Sequence, residues 1–241
     1  MLKKNVVAII PARGNSKRIP GKNCKKFNGK LVIVSTIEKL KKSKLFNRII
    51  VSTDSKKIAL ISKRCGAEVP FIRPKFLSGN YISSRPVIRH ILRFLIKEGY
   101  EFDYVCEVYP ASPFLQISDL KKGLRKIQSQ KKDYVFSATP YLFPFFRSFT
   151  FSRKNGIKVL FDKYIKKRSQ DLKQIMCDAG QFYWAHKETW LGKSKTNSKR
   201  GSESFTKGSD VIVIPIWRYH DIDTPDDWKR AELFYKLISK A

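Results

Sequence analysis

Two groups of side chains in this sequence could do chemistry: a run of cations near its start and a pair of carboxylates near its end. The run is VVAIIPARGNSKRIPGKN, residues 6–23, in which Arg13, Lys17, Arg18 and Lys22 are interspersed with Gly14, Asn15, Ser16 and Gly21. Glycine and asparagine let a turn expose its backbone N–H groups, and exposed amides beside several cations suit a polyphosphate. The spacing matches neither standard phosphate motif. Gly14 and Gly21 stand too far apart for a Walker loop, Asn23 occupies the place of the Ser or Thr after its lysine, and no GxGxxG is present. A solvated basic turn is the other reading of the same loop, and spacing alone does not separate the two.

The carboxylate pair is Asp221 and Asp223, two residues apart in a segment expected to be extended, so both project to one side. Like charges held together are unfavourable unless a cation joins them. Mg²⁺ takes one or two carboxylates together with phosphate oxygens and waters, which fits the pair. A helix N-terminus accounts for Thr224 as N-cap, Pro225 at the first helical position and Asp227 in the capping-box place, but it leaves Asp221 and Asp223 unexplained.

The elements that must position these groups follow an alternating rhythm. Val6–Ile10 is a continuous β-branched and apolar run, as expected of a strand buried on both faces. Helical periodicity over 31–43 and 85–98 alternates with strand-like runs at 48–53, 67–69, 103–109 and 133–139, and a helix follows Asp54, read as its N-cap. The pattern predicts one α/β domain over residues 1–241, a mostly parallel sheet with helices on both faces. Ligands in such sheets bind beyond the carboxyl ends of the strands, where Arg13, Asp54 and 109–113 fall. A last strand is predicted at 210–216 and a last helix at 224–239.

Two stretches break the rhythm. Residues 140–176 are aromatic and basic, with Tyr141, Phe143, Phe145, Phe146, Phe149, Phe151 and Phe161 and little helical period. So much apolar surface needs cover, either as a satellite core or as a β-rich excursion against a second subunit. Residues 193–209, KSKTNSKRGSESFTKGS, lack apolar anchors and are expected to form a mobile surface loop.

With 50 Lys and Arg against 20 Asp and Glu, the net charge is +30, which first suggests nucleic acid. The lysines are spread over most surface segments without one stripe interleaved with aromatics, so a general attraction for polyanions is the expectation and nucleic-acid binding the alternative. Four scattered cysteines form no CxxC or Cys/His cluster, which argues against a zinc or redox site. No stretch reaches membrane-spanning length, and a cytoplasmic protein is expected.

PARGNSKRIPGKN, together with IIVSTDS at 49–55, resembles the CMP-nonulosonate (sialic acid type) cytidylyltransferase family. GAEVPFIRP at 66–74, YPASPF at 109–114, RSQDL at 168–172, DAGQFYW at 178–184 and DIDTPDDW at 221–228 are similar to its pseudaminic acid branch. The resemblance implies a Rossmann-like three-layer nucleotidyltransferase fold and attack of the anomeric hydroxyl of a nine-carbon acidic sugar on the α-phosphorus of CTP. It places Arg13, Lys17 and Lys22 on the triphosphate as catalytic groups. Ala12, Gly14, Asn15, Ser16, Asn23, Arg73 and Ser83 or Ser84 would surround the nucleotide. Tyr109, Arg168, Gln170, Gln181 and Tyr183 would meet the sugar, with Arg168 on its carboxylate. Asp221 and Asp223 match the family's metal-binding DID motif, which implies Mg²⁺, and 140–176 matches its dimer contact, which implies a homodimer. Legionaminic acid, N-acetylneuraminic acid and Kdo are the alternative sugars. One departure stands out: the family usually has an acidic residue where this chain has Asn80, which raises weaker nucleotide binding or a catalytically inactive member.

Overall fold

The computed structural model describes residues 5–129, 132–193 and 205–238. In chain order the strands are β1 (Val6–Pro11), β2 (Lys26–Phe27), β3 (Lys30–Leu31), β4 (Arg48–Ser52), β5 (Tyr104–Val108), β6 (Tyr134–Pro140), β7 (Phe149–Ser152), β8 (Gly156–Val159), β9 (Met176–His186) and β10 (Ser209–Val213). The helices are α1 (Val32–Ser43), α2 (Lys56–Arg64), α3 (Ser84–Lys97), α4 (Ile117–Ser129), α5 (Asp162–Ile165), α6 (Lys187–Trp190) and α7 (Pro225–Ile238).

Six strands form the central sheet in the order β10-β6-β9-β5-β1-β4. β4, β1 and β5 run parallel to one another, as do β6 and β10, while β9 runs antiparallel to both β5 and β6. The apolar sides of α1, α2 and α4 (Ile33, Ile37, Leu40, Ile58, Leu120, Leu124 and Ile127) pack with Ala8, Ile10, Val51 and Trp184 on one face. On the other, Ile88, Ile91, Leu92 and Leu95 of α3 pack with Val7, Ile9 and Ile50. This is the three-layer α/β arrangement expected from the sequence, with a sheet buried on both sides. A third cluster of Ile19, Phe27, Phe114, Ile222 and Trp228 ties the loop after β1 to α7.

The sequence reading does not anticipate α4. Its apolar residues Leu120, Leu124 and Ile127 do follow a helical period, but Gly123 interrupts the stretch. The glycine is required there: a Cβ would lie 2.6 Å from the Trp184 ring. The expected strand at 67–69 is reduced to one isolated bridge, Ile50 to Glu68. Asp54 is not the cap of α2. Ser55 fills that place, its side chain accepting from the Ile58 amide at 3.4 Å.

Residues 141–175 leave the main body. β7 and β8 pair as an antiparallel hairpin, and Phe143, Phe149, Phe151 and Ile157 are exposed. Tyr141, Phe145, Phe146 and Phe161 do pack on one another as a small satellite cluster, which leaves Phe143, Phe149, Phe151 and Ile157 outside it. Most of the loop expected at 193–209 lies outside the described residues.

Candidate active site

The loop after β1 is held from below by its neighbours. The Gly14 amide donates to Asp54 Oδ1 at 2.6 Å. A Cβ at Gly14 would approach Ser55 Cβ to 2.8 Å, so only glycine lets the loop lie this close to the end of β4. Ile19, in the third core cluster, anchors the middle of the loop. Asn23 is buried and donates from Nδ2 to the Arg13 carbonyl at 2.9 Å, closing the loop on itself.

Arg13, Ser16, Lys22, Asn23, Arg73, Ser83 and Ser84 line one cavity of about 330 Å³ at the carboxyl edge of the sheet. Arg73 is buried, donates from Nη2 to the Ser52 carbonyl at 2.8 Å, and has its guanidinium pushed down by burial against the opposing pull of Asp54. Asn23 Oδ1 and Arg73 Nε are buried without a hydrogen-bond partner. An unpaired buried acceptor and donor are costly, and a ligand with polar edges would satisfy both. Asn80 shares this wall, its carbonyl accepting from Arg13 Nη1 at 3.4 Å.

A second cavity, of about 310 Å³, adjoins the first and shares Lys22, Tyr109 and Pro110 with it. The start of β9 forms its floor. Between Phe136 and Ala138 the β6–β9 register shifts, and the surplus residues of β9 bulge toward the cavity with Gly180 at φ +59°. Ser137 Oγ accepts from the Gln181 and Phe182 amides at 3.1 and 3.4 Å, replacing bonds the ladder loses. Asp178 closes the bulge, accepting from the Gly180 amide at 2.9 Å and from the Tyr183 hydroxyl at 2.5 Å. Burial and the charges nearby push the Tyr183 phenol far upward, so it stays a neutral donor.

The acidic segment forms the far rim of this cavity. Buried Ile222 pins it, between Asp221 and Asp223, and a capping box follows: Thr224 Oγ1 accepts from the Asp227 amide at 3.2 Å while Asp227 Oδ2 accepts from the Thr224 amide at 2.9 Å. Asp223 pairs with Arg18 at 2.7 Å and Lys22 at 3.5 Å, and Lys22 Nζ also donates to the Ile222 carbonyl at 2.8 Å. The two sequence-level clusters, the cationic loop and the acidic pair, therefore meet. Loss of hydration against the cavity wall, then the Asp223 charge, push the Asp221 carboxyl up. No three His, Cys, Asp or Glu side chains gather as a metal site among the described residues. A cation here would draw its remaining ligands from phosphate and water, which is the donor set Mg²⁺ accepts.

Other sequence candidates lie elsewhere. Ala12 is buried in the core, while Lys17 and Asn15 are exposed on the loop outside both cavities. The Gln181 side chain points into the protein, donating to the Arg218 carbonyl at 3.1 Å, and does not line the second cavity. Arg168 pairs with Asp171 at 2.9 Å on the 141–175 excursion, where Gln170 lines a separate pocket. Sequence reasoning missed Tyr219 and His220, both in the second cavity, and Glu107, buried beneath its wall. Glu107 had a signal: a lone carboxylate in the apolar run YVCEV of β5.

A mostly parallel sheet with adjoining polar cavities at its carboxyl edge defines the class, an α/β nucleotide-binding protein. The chain belongs to the cytidylyltransferase family, whose model matches residues 7–195. A pseudaminic acid cytidylyltransferase of Campylobacter jejuni is 35% identical over 231 residues, 96% of each chain. The CMP-N,N'-diacetyllegionaminic acid synthase of Legionella pneumophila is 29% identical over 239 residues, 98% of each chain. Among solved structures, CMP:2-keto-3-deoxy-manno-octonic acid synthetase complexed with CTP superposes with a TM-score of 0.68 at 14% identity, over 99% of this chain and 100% of that one.

Proposed function

We propose that this cytidylyltransferase joins CTP to pseudaminic acid, giving CMP-pseudaminic acid and pyrophosphate. The observation that carries the reading is the pair of adjoining cavities, one offering an unpaired buried donor and acceptor, the other lined by hydroxyl and carboxylate groups. The similarity to the Campylobacter enzyme over 96% of both chains favours pseudaminic acid over the other nonulosonic acids.

In this reading the cytidine occupies the first cavity, with Asn23 and Arg73 answering the polar edge of the base and Ser83 and Ser84 nearby. Discrimination against uracil then arises because the wrong edge leaves buried groups unpaired. Arg13 and Lys22 hold the triphosphate across the shared wall, and Lys17 on the exposed loop meets the departing pyrophosphate. The sugar lies in the second cavity against Tyr109, Tyr183 and Asp178. Its anomeric hydroxyl gives up its proton to water as its oxygen forms the new bond to the α-phosphorus, the bond from that phosphorus to the bridging oxygen breaks, and pyrophosphate leaves with the electron pair. Holding both reactants in line across one wall supplies much of the rate. Asp221 and Asp223 would hold Mg²⁺, whose positive charge would neutralise phosphate oxygens and lower the pKa of the attacking hydroxyl. Lys22 and Arg18, now on Asp223, would be released to phosphate.

The sugar carboxylate needs a cation, and Lys22 is the one Lys or Arg among the described residues lining the second cavity. With Lys22 committed to phosphate, Arg168 and Gln170 of a second copy are the proposed partners. A homodimer would also cover Phe143, Phe149 and Phe151. We place the enzyme in the cytoplasm, in keeping with four free cysteines and with no helix, among the described residues, long and apolar enough to cross a membrane.

The test is pyrophosphate release with Mg²⁺, offering CTP, UTP, ATP or GTP with pseudaminic, legionaminic or N-acetylneuraminic acid in turn. Release with CTP and pseudaminic acid is expected. Release with another sugar alone would move the enzyme to that branch, and silence with every pair would point to an inactive member.

A further inference from the structure

A cleft of about 430 Å³, larger than either cavity above, has no part in the mechanism. It lies between α1, the loop leading into α4, the turn at Ile216–Arg218 and α7, with Lys39, Phe114, Leu115, Trp217, Tyr235 and Ile238 among its walls. Phe114 and Leu115 are buried, whereas Trp217 is 43% exposed. One cation is set among these apolar groups without an anion. Lys39 Nζ donates to the Pro113 carbonyl at 2.5 Å, and no carboxylate among the described residues pairs with it. Burial lowers its ammonium to about 8. The other cation of the cleft, Arg218, is already answered by buried Asp119. An apolar cleft with a single unmatched ammonium suits a monoanion that carries an apolar body. A doubly charged anion would give up more hydration than one ammonium returns.

One stretch of chain, 109–114, joins this cleft to the second cavity. Tyr109, Pro110 and Ala111 line the second cavity, while Pro113 and Phe114 line the cleft. α1 holds the stretch at two carbonyls: Thr36 Oγ1 donates to that of Pro110 at 3.0 Å, and Lys39 to that of Pro113. Phe114 also stacks on His220, a wall of the second cavity, with ring centroids 4.5 Å apart.

We propose that the cleft is a regulatory site for a small organic carboxylate with an aromatic body, whose head group draws Lys39 off the Pro113 carbonyl and whose ring packs between Phe114, Trp217 and Tyr235. Three aromatic walls favour a ring over an alkyl chain. Without the Lys39 contact, 109–114 is held at Pro110 alone, and the loosened end carries Phe114 and with it the His220 ring. Binding in the cleft therefore weakens binding in the second cavity, and the converse must hold. The regulatory half rests on the reading of the second cavity as the sugar site; the binding half does not.

The deciding experiment offers 2-naphthoate, with its uncharged counterpart 2-naphthamide, to the full chain carrying 5-fluorotryptophan, the Trp217 ¹⁹F signal being assigned by Trp217→Phe. We expect naphthoate to shift that signal and to bind about tenfold more tightly than naphthamide in the wild type and in Lys39→Arg. Lys39→Met, which keeps the apolar stem without the charge, should lose that advantage. Calorimetry should show pseudaminic acid binding about fivefold more weakly once naphthoate fills the wild-type cleft, with no further weakening by naphthoate in Lys39→Met. Equal affinity for the two probes in the wild type, or wild-type naphthoate binding in Lys39→Met, would overturn the site, as would a Trp217 signal that naphthoate does not move. Unchanged pseudaminic acid affinity with the cleft filled would overturn the regulation. If Lys39→Met does not fold, the comparison of the two probes on the wild type decides. A Trp217 signal that shifts with protein concentration and with neither probe would give the cleft to a second copy of the chain instead. Failure of the functional reading looks different: the wild type then binds neither CTP nor pseudaminic acid, while the two probes still separate at Trp217.

Discussion

The two cavities share a wall but differ in how they are finished. The first leaves Asn23 Oδ1 and Arg73 Nε buried and unpaired, whereas in the second Asp178, Gly180 and Tyr183 already bond one another. A site with unmet groups gains from a ligand that meets them and rejects one that does not, which favours sharp selection. A site whose groups are satisfied must exchange bonds for bonds on binding, so its net gain per contact is small. On this view the base is selected strictly and the sugar more permissively.

Four outcomes would break or sharpen that contrast. The largest concerns neither cavity alone but their junction: Asp223→Asn should lower kcat by about a thousandfold, the scale on which removing one electrostatic contact at a reacting centre acts. Circular dichroism should show the fold retained, because the partly exposed pairs of Asp223 with Arg18 and Lys22 contribute little stability. A wild-type rate would remove the acidic pair from the chemistry.

Next comes the wall. Native Glu107 keeps its proton to about 7, against an ordinary value of 4.5. Between those values the folded state binds more protons than the unfolded, so stability falls as pH rises through that window and the whole loss is present above 7. Glu107→Gln should therefore flatten the pH dependence of unfolding free energy between pH 4 and 8 by about 3 kcal/mol, measured by urea denaturation. A slope equal to wild type would place the burden on another group.

Third, Asn23→Ala should reduce kcat/KM for CTP by about a hundredfold and narrow the margin over UTP, as expected when a buried polar wall loses one partner. The smallest change is expected from Tyr183→Phe: a rise in sugar KM of about tenfold with CTP KM unaltered, because Asp178 retains the Gly180 amide when the phenol is gone. Equal effects on both substrates would mean that the cavities are not separate sites.

What the sequence made legible follows the same division. The cationic loop, Arg73, Ser83 and Ser84 fall on chain segments that end at the carboxyl edge of parallel strands, and the βαβ rhythm places such ends together. The second cavity depends on a bulge and on a reversed strand. Periodicity reads Gln181 as a strand residue but cannot say which face it takes once the register has slipped, and here it turns inward to Arg218. Tyr219 and His220 were hidden for another reason: they lie in an irregular segment positioned by Ile222 and α7 rather than by any local pattern. Glu107 was visible as a residue but not as a meaning, since only its neighbours across the sheet give it one.

The reversed strand β9 also sets an order of assembly. Within the sheet β5 and β6 never touch; each is hydrogen-bonded to β9 between them. As the chain leaves the ribosome, β1, β4 and β5 can pair as soon as they are made, but the β5 edge stays open until residue 186 has emerged. An apolar, unpaired strand edge exposed for that interval is a point of vulnerability to intermolecular association. Closure by β9 then joins the two halves of the sheet and raises the bulge in one event, so the second cavity is among the last parts of the molecule to exist.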